Sequence, residues 1–280
     1  MLGWWWKRLA TRLKLHAASN RAKSNEPCFT YKGFNIPLRL AHMTGGADDT
    51  FDAISRAHID QARAVMDLRP DMSIVEIGCG IGRDAIPLSE ILSSEGRYFG
   101  IEVVKDMVDW CSSAITTRHP NFTFHHFDVA EKWYNPNGKL TLQECVLPVV
   151  DNSVDLIILH SVFTHMLAAD IQHYMREFAR VIKPQGRVLA TFFIVNDDIL
   201  QTQTDASYIT FRHKIADGCY VHELEKPTHA VAYDEGAITA MANRSGLRMV
   251  GQPHYGIWSG RGTDPKYGQD AVVLERISGF

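Results

Sequence analysis

The sequence lacks the features that would assign it to several specialised classes of protein. It has an odd number of cysteines and no C-x-x-C pair, which argues against a disulfide framework and a structural zinc site. The five cysteines are Cys28, Cys79, Cys111, Cys145 and Cys219. No run approaches the ~20 consecutive apolar residues that a membrane-spanning helix needs. Apolar residues make up 45% of the chain and charged residues 22%, so we expect a globular protein in a reducing, cytoplasmic compartment.

Acidic residues are absent from residues 1–25, which carry six basic residues. The rest of the chain is left with 23 basic and 32 acidic residues. A body of this charge is a poor electrostatic partner for a phosphate backbone, so nucleic acid is not an expected substrate.

Residues 1–25 have the pattern of a basic amphipathic helix. Large apolar residues recur at helical spacing on one flank, namely Leu2, Trp5, Trp6, Leu9 and Leu13. Such a helix can lie in a membrane interface, where aromatic rings enter the headgroup region and cations meet anionic lipid. Three interpretations stay open. In the first, residues 1–23 contact the inner face of a membrane. In the second, they form an ordinary helix that packs on this domain or on a second copy in a homodimer. In the third, they are a presequence that is later removed.

Helical and strand patterns alternate from Asp49 onward, which indicates βαβ units. Seven strands are predicted, at 73–77, 98–103, 122–127, 154–159, 187–194, 247–252 and 271–275. We expect a doubly wound α/β domain over 44–280, with a mostly parallel seven-stranded sheet, an antiparallel last strand and helices on both faces. The polar stretch 195–233 interrupts the alternation and is too long for a passive connection, so it is predicted to be an insertion that faces the substrate.

A glycine turn follows the first predicted strand, at Gly78, Gly80 and Gly82. A dinucleotide site favours G-x-G-x-x-G, and here the third glycine comes one residue early. Glu76 precedes the turn, where it would repel a pyrophosphate but can help to hold the ammonium of an amino acid. Glu102 ends the next strand, where an acid accepts ribose hydroxyls, and Val103 follows it. The pattern favours S-adenosylmethionine over a dinucleotide.

Three segments carry a resemblance to a known family. They are Cys79 within the glycine turn, Ser-Val-Phe-Thr-His at 161–165, and Arg-Val-Ile-Lys-Pro-Gln-Gly at 180–186. Over about residues 45–276 the chain resembles class I S-adenosylmethionine-dependent methyltransferases, and more narrowly a bacterial group with the Ser-Val-Phe-Thr-His segment. It departs from that group at Gln185, where such chains often carry glycine.

The resemblance implies further cofactor contacts. Asp128 looks like the residue that accepts a hydrogen bond from the adenine amino group, and Val129 would give its backbone amide to the ring. His160 and Ser161 would lie beside the methyl donor. The turn at 44–46 would cover the methionine carboxylate.

Methyl transfer from a sulfonium mainly requires alignment of the reacting atoms, and a hydroxyl nucleophile also benefits from a base. Two histidines are candidates for that base, His165 and His254; the alternative for each is that it orders its loop by hydrogen bonding. No metal is expected, because the segment after the fourth strand has no carboxylates of the catechol-methyltransferase type. It also lacks the Asn/Asp-Pro-Pro-aromatic signature of enzymes that methylate nucleic-acid amino groups.

The preferred acceptor is a hydroxyl of a sugar, a glycan or another small molecule, and a glycolipid if the N-terminal helix rests on a membrane. Aromatic and hydrogen-bonding side chains of the insertion and of the C-terminal loop are predicted to contact it, namely Tyr208, Tyr220, His222, Trp258 and Arg261. The alternatives are N-methylation of a small molecule, a dinucleotide-dependent oxidoreductase, and a non-catalytic protein that binds S-adenosylmethionine.

Overall fold

The computed structural model describes residues 26–46, 48–204, 207 and 209–279. The predicted helix at 1–25 and the predicted acceptor residue Tyr208 lie outside the described residues. Within the described part of the chain, no helix is long and apolar enough to cross a membrane.

Strands and helices alternate along the chain. The strands are β1 (Cys28–Tyr31), β2 (Phe34–Pro37), β3 (Ser73–Ile77), β4 (Arg97–Glu102), β5 (Phe122–His126), β6 (Val154–Leu159), β7 (Ile182–Val195), β8 (His213–Ala216), β9 (Cys219–Val221), β10 (Val231–Asp234), β11 (Leu247–Met249) and β12 (Asp270–Arg276). The α-helices are α1 (Leu38–Met43), α2 (Phe51–Val65), α3 (Ala85–Leu88), α4 (Lys105–Cys111), α5 (Ala168–Val181), α6 (Asp197–Thr202) and α7 (Glu235–Arg244).

The central sheet has the predicted topology. Strands β5, β4, β3, β6 and β7 lie side by side and parallel, and β12 pairs antiparallel with both β7 and β11. The prediction of a doubly wound, mostly parallel sheet with an antiparallel last strand is confirmed, but among the described residues the sheet has ten strands instead of the predicted seven. The carboxyl ends of the parallel strands therefore meet at one edge, where ligands bind in such sheets.

Both faces of the sheet are buried. On β3, Ile74 packs into one hydrophobic cluster, whereas Val75 and Ile77 pack into another. Successive side chains of a strand point to opposite faces, so the two clusters lie on opposite sides. Helices α2 and α4 contribute to the first cluster, and α5 and α7 contribute to the second.

The folded unit begins before the predicted boundary at residue 44. The β1–β2 hairpin and α1 place Tyr31, Ile36 and Leu40 in the cluster that contains α2. The ring of Tyr31 meets that of Phe51 edge to face, with centroids 5.1 Å apart.

The insertion at 195–233 holds α6 and an antiparallel ribbon of β8, β9 and β10, which the sequence did not indicate as strands. Its strand β10 pairs parallel with the end of β7, so the ribbon continues the sheet beyond its carboxyl edge. A third hydrophobic cluster lies here. It comprises Phe193, Val195, Ile199, Ile209, Phe211, Ala230, Ala232 and Trp258.

The chain that leaves the glycine turn is a regular α-helix only over α3. Pro87 has no N–H to donate to the Arg83 carbonyl, which would be its partner in an α-helix. The hydroxyl of Ser55, on α2, donates to that carbonyl instead, at 2.9 Å. Because Ser55 is fully buried, this bond ties α2 to the chain that leaves the glycine turn.

Candidate active site

The turn after β3 requires glycine at three positions. Gly78, Gly80 and Gly82 have φ of 71°, 54° and 73°, a region that other residues rarely adopt. A Cβ at Gly78 would lie 2.7 Å from Val162 Cγ2, and one at Gly80 would lie 2.7 Å from Thr44 Cγ2. The turn therefore brings bare backbone to the carboxyl edge of the sheet.

The carboxylate of Glu102 holds this turn in place. Its Oε2 accepts the Gly80 N–H at 2.8 Å, and its Oε1 accepts the amides of Val103 and Val104 at 2.8 and 2.9 Å. Burial raises the pKa of Glu102, and these backbone donors oppose the shift. The predicted acid thus lies directly against the predicted glycine turn.

Glu76 is the penultimate residue of β3, and its side chain is buried. It accepts a hydrogen bond from the hydroxyl of Tyr98, on the neighbouring β4. Burial raises the pKa of Glu76 well above its ordinary value, and the nearby Asp84 carboxylate adds to the shift. Tyr98 was not among the predicted site residues, although a fully buried tyrosine in β4 must find a partner for its hydroxyl.

The segment expected to hold adenine is closed by a loop. Asp128 Oδ1 accepts from Asn135 Nδ2 at 3.0 Å, and the same nitrogen donates to the Val129 carbonyl at 3.1 Å. The Asp128 carbonyl accepts the amides of Lys139 and Leu140. Sequence reasoning did not identify Asn135, which lies in an irregular stretch without a motif.

Ser161 begins the turn after β6 in a strained conformation, with φ of 59°. Its N–H donates to Thr191 Oγ1 at 2.8 Å, and its hydroxyl donates to Gln269 Oε1 at 3.1 Å. Gln269 also accepts from Thr191, at 2.8 Å. Contacts with β7 and with the chain before β12 therefore fix the backbone beside the expected methyl donor.

The residue before it, His160, belongs to a cluster that sequence reasoning missed. Its ring stacks on that of His58 with centroids 3.6 Å apart and planes 10° apart. His58 Nδ1 in turn lies 2.6 Å from Asp84 Oδ2. Burial lowers the pKa of His160 well below its ordinary value, so its imidazole is neutral. The three residues come from separate segments, and nothing in the sequence indicates that they meet.

Of the two predicted bases, His165 faces the insertion and His254 faces solvent. His165 ends a 3-10 turn, Phe163–His165, and its Nδ1 lies 3.2 Å from the Thr228 carbonyl. The side chain of His254 is exposed, and its backbone pairs with Ala271. Neither proposed catalytic role is tested by these positions.

The predicted acceptor residues of the C-terminal loop converge on one buried carboxylate. Asp270 is 0% exposed and accepts from Trp258 Nε1 at 2.7 Å. It also accepts the amides of Gly256 and Ile194, and it pairs with Arg261 at 3.3 Å. Burial raises the pKa of Asp270 to about 6, against the effect of these donors.

The rings beside this carboxylate are packed rather than open. Trp258 is 7% exposed and lies edge-on to Phe193 and Phe211. Tyr220 is half-buried against the same cluster, and the Nδ1 of His222 lies 2.8 Å from the Thr210 carbonyl. Their contacts with an acceptor stay predictions.

Comparisons with known proteins agree with this geometry. Residues 74–186 match the family model described as a methyltransferase domain. The chain is 28% identical over 116 residues to a 23S rRNA (uracil(1939)-C(5))-methyltransferase of Shewanella woodyi. The matched region covers 39% of this chain and 25% of that protein. It is also 28% identical over 199 residues to an uncharacterized 37.1 kDa protein in a transposon of Streptomyces fradiae, covering 65% and 52%. The chain thus spans between a quarter and about half of these relatives.

Solved structures share the fold at low identity. A mitomycin 7-O-methyltransferase matches with a TM-score of 0.52 and 16% identity, over 85% of this chain and 56% of that one. An S-adenosylmethionine-dependent methyltransferase of Leishmania major matches with a TM-score of 0.54 and 14% identity, over 97% and 83%.

Residues 74–186 are therefore similar to a methyltransferase domain, and the solved structures share the fold of this chain. S-adenosylmethionine is the cofactor that this family and fold imply, as predicted. The narrower bacterial group is not confirmed. The ribosomal RNA methyltransferase relatives count weakly against the expectation that nucleic acid is not a substrate.

Proposed function

We propose that the protein transfers a methyl group from S-adenosylmethionine to a hydroxyl oxygen of a sugar, a glycan or another small molecule, with His165 as the base. The bacterial group with the Ser-Val-Phe-Thr-His segment is the proposed subfamily. The proposal is supported by the position of His165, four residues along the chain from Ser161, which is expected beside the methyl donor.

The hydrogen bond of His165 supports its role as a base. A carbonyl oxygen only accepts, so the contact with Thr228 requires the proton of the neutral ring to be on Nδ1. The lone pair is then on Nε2, which is the nitrogen that takes a proton. Because Thr228 belongs to the insertion, the same contact joins the proposed base to the segment that is proposed to contact the acceptor.

The residues around the glycine turn fit the cofactor. The two Cβ positions that Val162 and Thr44 exclude mark a place where only bare backbone passes. Each Glu102 oxygen has two lone pairs, and Oε2 uses one for Gly80, so a ribose hydroxyl finds a second acceptor site there. S-adenosylmethionine supplies an activated methyl group on a sulfonium sulfur. Glu76 and Asp128 would hold its ammonium and its adenine amino group.

A calorimetric and kinetic pair of experiments tests the proposal. The purified chain is titrated with S-adenosylhomocysteine and, separately, with NAD. It is then supplied with radiolabelled methyl donor and a panel of sugars, phenols and amines. We expect binding of S-adenosylhomocysteine and labelling of a hydroxyl compound. Preference for NAD contradicts the proposed class, labelling of amines alone favours N-methylation, and binding without any labelling favours a non-catalytic protein.

The variant His165→Ala should lower turnover at least tenfold and leave the affinity for S-adenosylhomocysteine near normal, because it removes the base and its contact with Thr228 but none of the proposed cofactor contacts. Turnover is compared with that of His254→Ala, which removes the other predicted base in the same way. Unchanged turnover in His165→Ala would remove this histidine from the mechanism.

The proposed membrane contact rests on the sequence of residues 1–25 alone. If that segment lies on an anionic inner leaflet, a glycolipid becomes the favoured acceptor. The full chain should sediment with anionic liposomes more than a chain that begins near Asn25. Equal sedimentation of the two would contradict the membrane contact.

A further inference from the structure

Three potential metal ligands meet at the carboxyl edge of the sheet. His58 is on α2, Asp84 follows the glycine turn by two residues, and His160 follows β6 directly. One ligand atom of each lies within 4.8 Å of the ligand atoms of the other two. We call these residues the His58 cluster.

Two atoms of the His58 cluster are buried without a hydrogen-bond partner. They are Oδ1 of Asp84 and Nε2 of His160. Asp84 is 2% exposed, and a buried carboxylate oxygen that accepts no hydrogen bond has lost its hydration without compensation. A cation between the carboxylate and the imidazoles would satisfy both atoms.

The donor set indicates which cation. Two imidazole nitrogens and one carboxylate oxygen suit zinc and its first-row neighbours, whereas calcium and magnesium prefer oxygen ligands alone. We propose that His58, Asp84 and His160 bind one divalent transition-metal ion, for which Zn²⁺ is the probe. Three protein ligands leave a fourth position open, as in catalytic zinc sites.

The site lies between the glycine turn and the end of β6, so the open position is beside the expected methyl donor. An acceptor hydroxyl bound there would lose its proton more readily. This role rests on the proposed methyl transfer, whereas the binding of the ion does not.

The present ring arrangement sets one requirement for binding. Parallel rings 3.6 Å apart hold their in-plane lone pairs in two parallel planes, so one ring must turn to share an ion. We expect the ring of His58 to turn, because its side chain is 18% exposed. The ion then replaces the proton between His58 and Asp84. The bond from Ser55 to Arg83 keeps α2 beside Asp84 as this happens.

A second group of three potential ligands provides the control. His222, Glu223 and His229 also lie within 4.8 Å of one another. There, however, Glu223 already pairs with His229 at 3.0 Å and with Lys226 at 3.5 Å.

The full chain is stripped with a chelator, dialysed and titrated with Zn²⁺ against a chromophoric competitor. We expect one tight equivalent in the unaltered protein. Asp84→Asn, His58→Gln and His160→Gln should each weaken it at least about a hundredfold, since even outer partners of a metal ligand contribute 10–100-fold. Glu223→Gln should retain it. Co²⁺ should give visible absorption bands that the three variants lose.

Circular dichroism and thermal unfolding establish that each variant folds. His58→Gln decides the matter if Asp84→Asn does not fold, because the side chain of His58 is partly exposed. Absence of a tight equivalent in the unaltered protein, its retention in the three variants, or its loss in Glu223→Gln would overturn the inference. Titration with S-adenosylhomocysteine is run in parallel, so failure of the metal site and failure of the cofactor site are distinguished.

Discussion

Two regions at the carboxyl edge of the sheet are held together in different ways. In the cofactor edge, which is residues 76–82 with Glu102, the amides of the glycine turn donate to the Ile101 carbonyl and to the Glu102 carboxylate of the neighbouring strand. In the acceptor region, which is the insertion with residues 254–270, one buried side chain joins three distant segments. The cofactor edge thus depends on residues of a recognisable sequence motif. The acceptor region depends on the carboxylate of Asp270, which belongs to no motif. Substitutions should therefore affect the two regions independently.

The largest expected effect is in the acceptor region. Asp270→Ala leaves the Trp258 indole and two backbone amides without their acceptor, and it leaves Arg261 without its counter-charge. We expect the free energy of unfolding to fall by about 3–5 kcal/mol, measured by urea denaturation. Trp258→Phe loses only one of these bonds and should lower it by about 1–3 kcal/mol. Equal losses in the two variants would mean that Asp270 does not organise this region.

Titration of the same carboxylate sharpens the comparison. The pKa of Asp270 is raised from 3.8 to about 6 in the folded protein, so the folded state holds an extra proton between these values. Its contribution to stability is complete below about pH 4 and falls as the pH rises to about 6, by up to about 3 kcal/mol.

Asp270→Asn cannot titrate, so its stability relative to the unaltered protein should rise over the same interval. Denaturation of both proteins at several pH values from 4 to 7 measures this. A constant difference across the interval would show that Asp270 keeps an ordinary pKa.

The smallest effect on stability is expected in the cofactor edge. In Gly80→Ala the new methyl group meets Thr44 at 2.7 Å in a left-handed conformation, which is unfavourable by about 1–2 kcal/mol for the backbone alone. We expect the affinity for S-adenosylhomocysteine to fall at least tenfold in calorimetry. Gly251→Ala is the control, because Gly251 has φ of 68° but no atom within 4 Å of the added Cβ. If both variants bind the ligand normally, the turn does not contact it.

The same contrast explains what the sequence revealed. Seven of the ten strands of the described sheet were predictable because their buried runs are bounded by glycine and proline, and Glu102 because it ends a strand beside the turn. The ribbon of the insertion was not, since β8 is largely exposed and its residues show no apolar alternation. The partners Tyr98, Asn135 and His58 are also absent from the prediction, because long-range pairing of single polar residues has no periodicity.

The missing amide of Pro87 has a consequence for motion. Because Ser55 replaces it, and His58 follows one helical turn later on the same face of α2, two hydrogen bonds fasten this helix to residues 83 and 84. Movement of α2 away from the sheet breaks both bonds at once. Opening of the site at the end expected to hold the methionine part of the cofactor should therefore be cooperative. Amide hydrogens of α2 and α3 should then exchange with solvent in a single cooperative opening step, with one common free energy of opening.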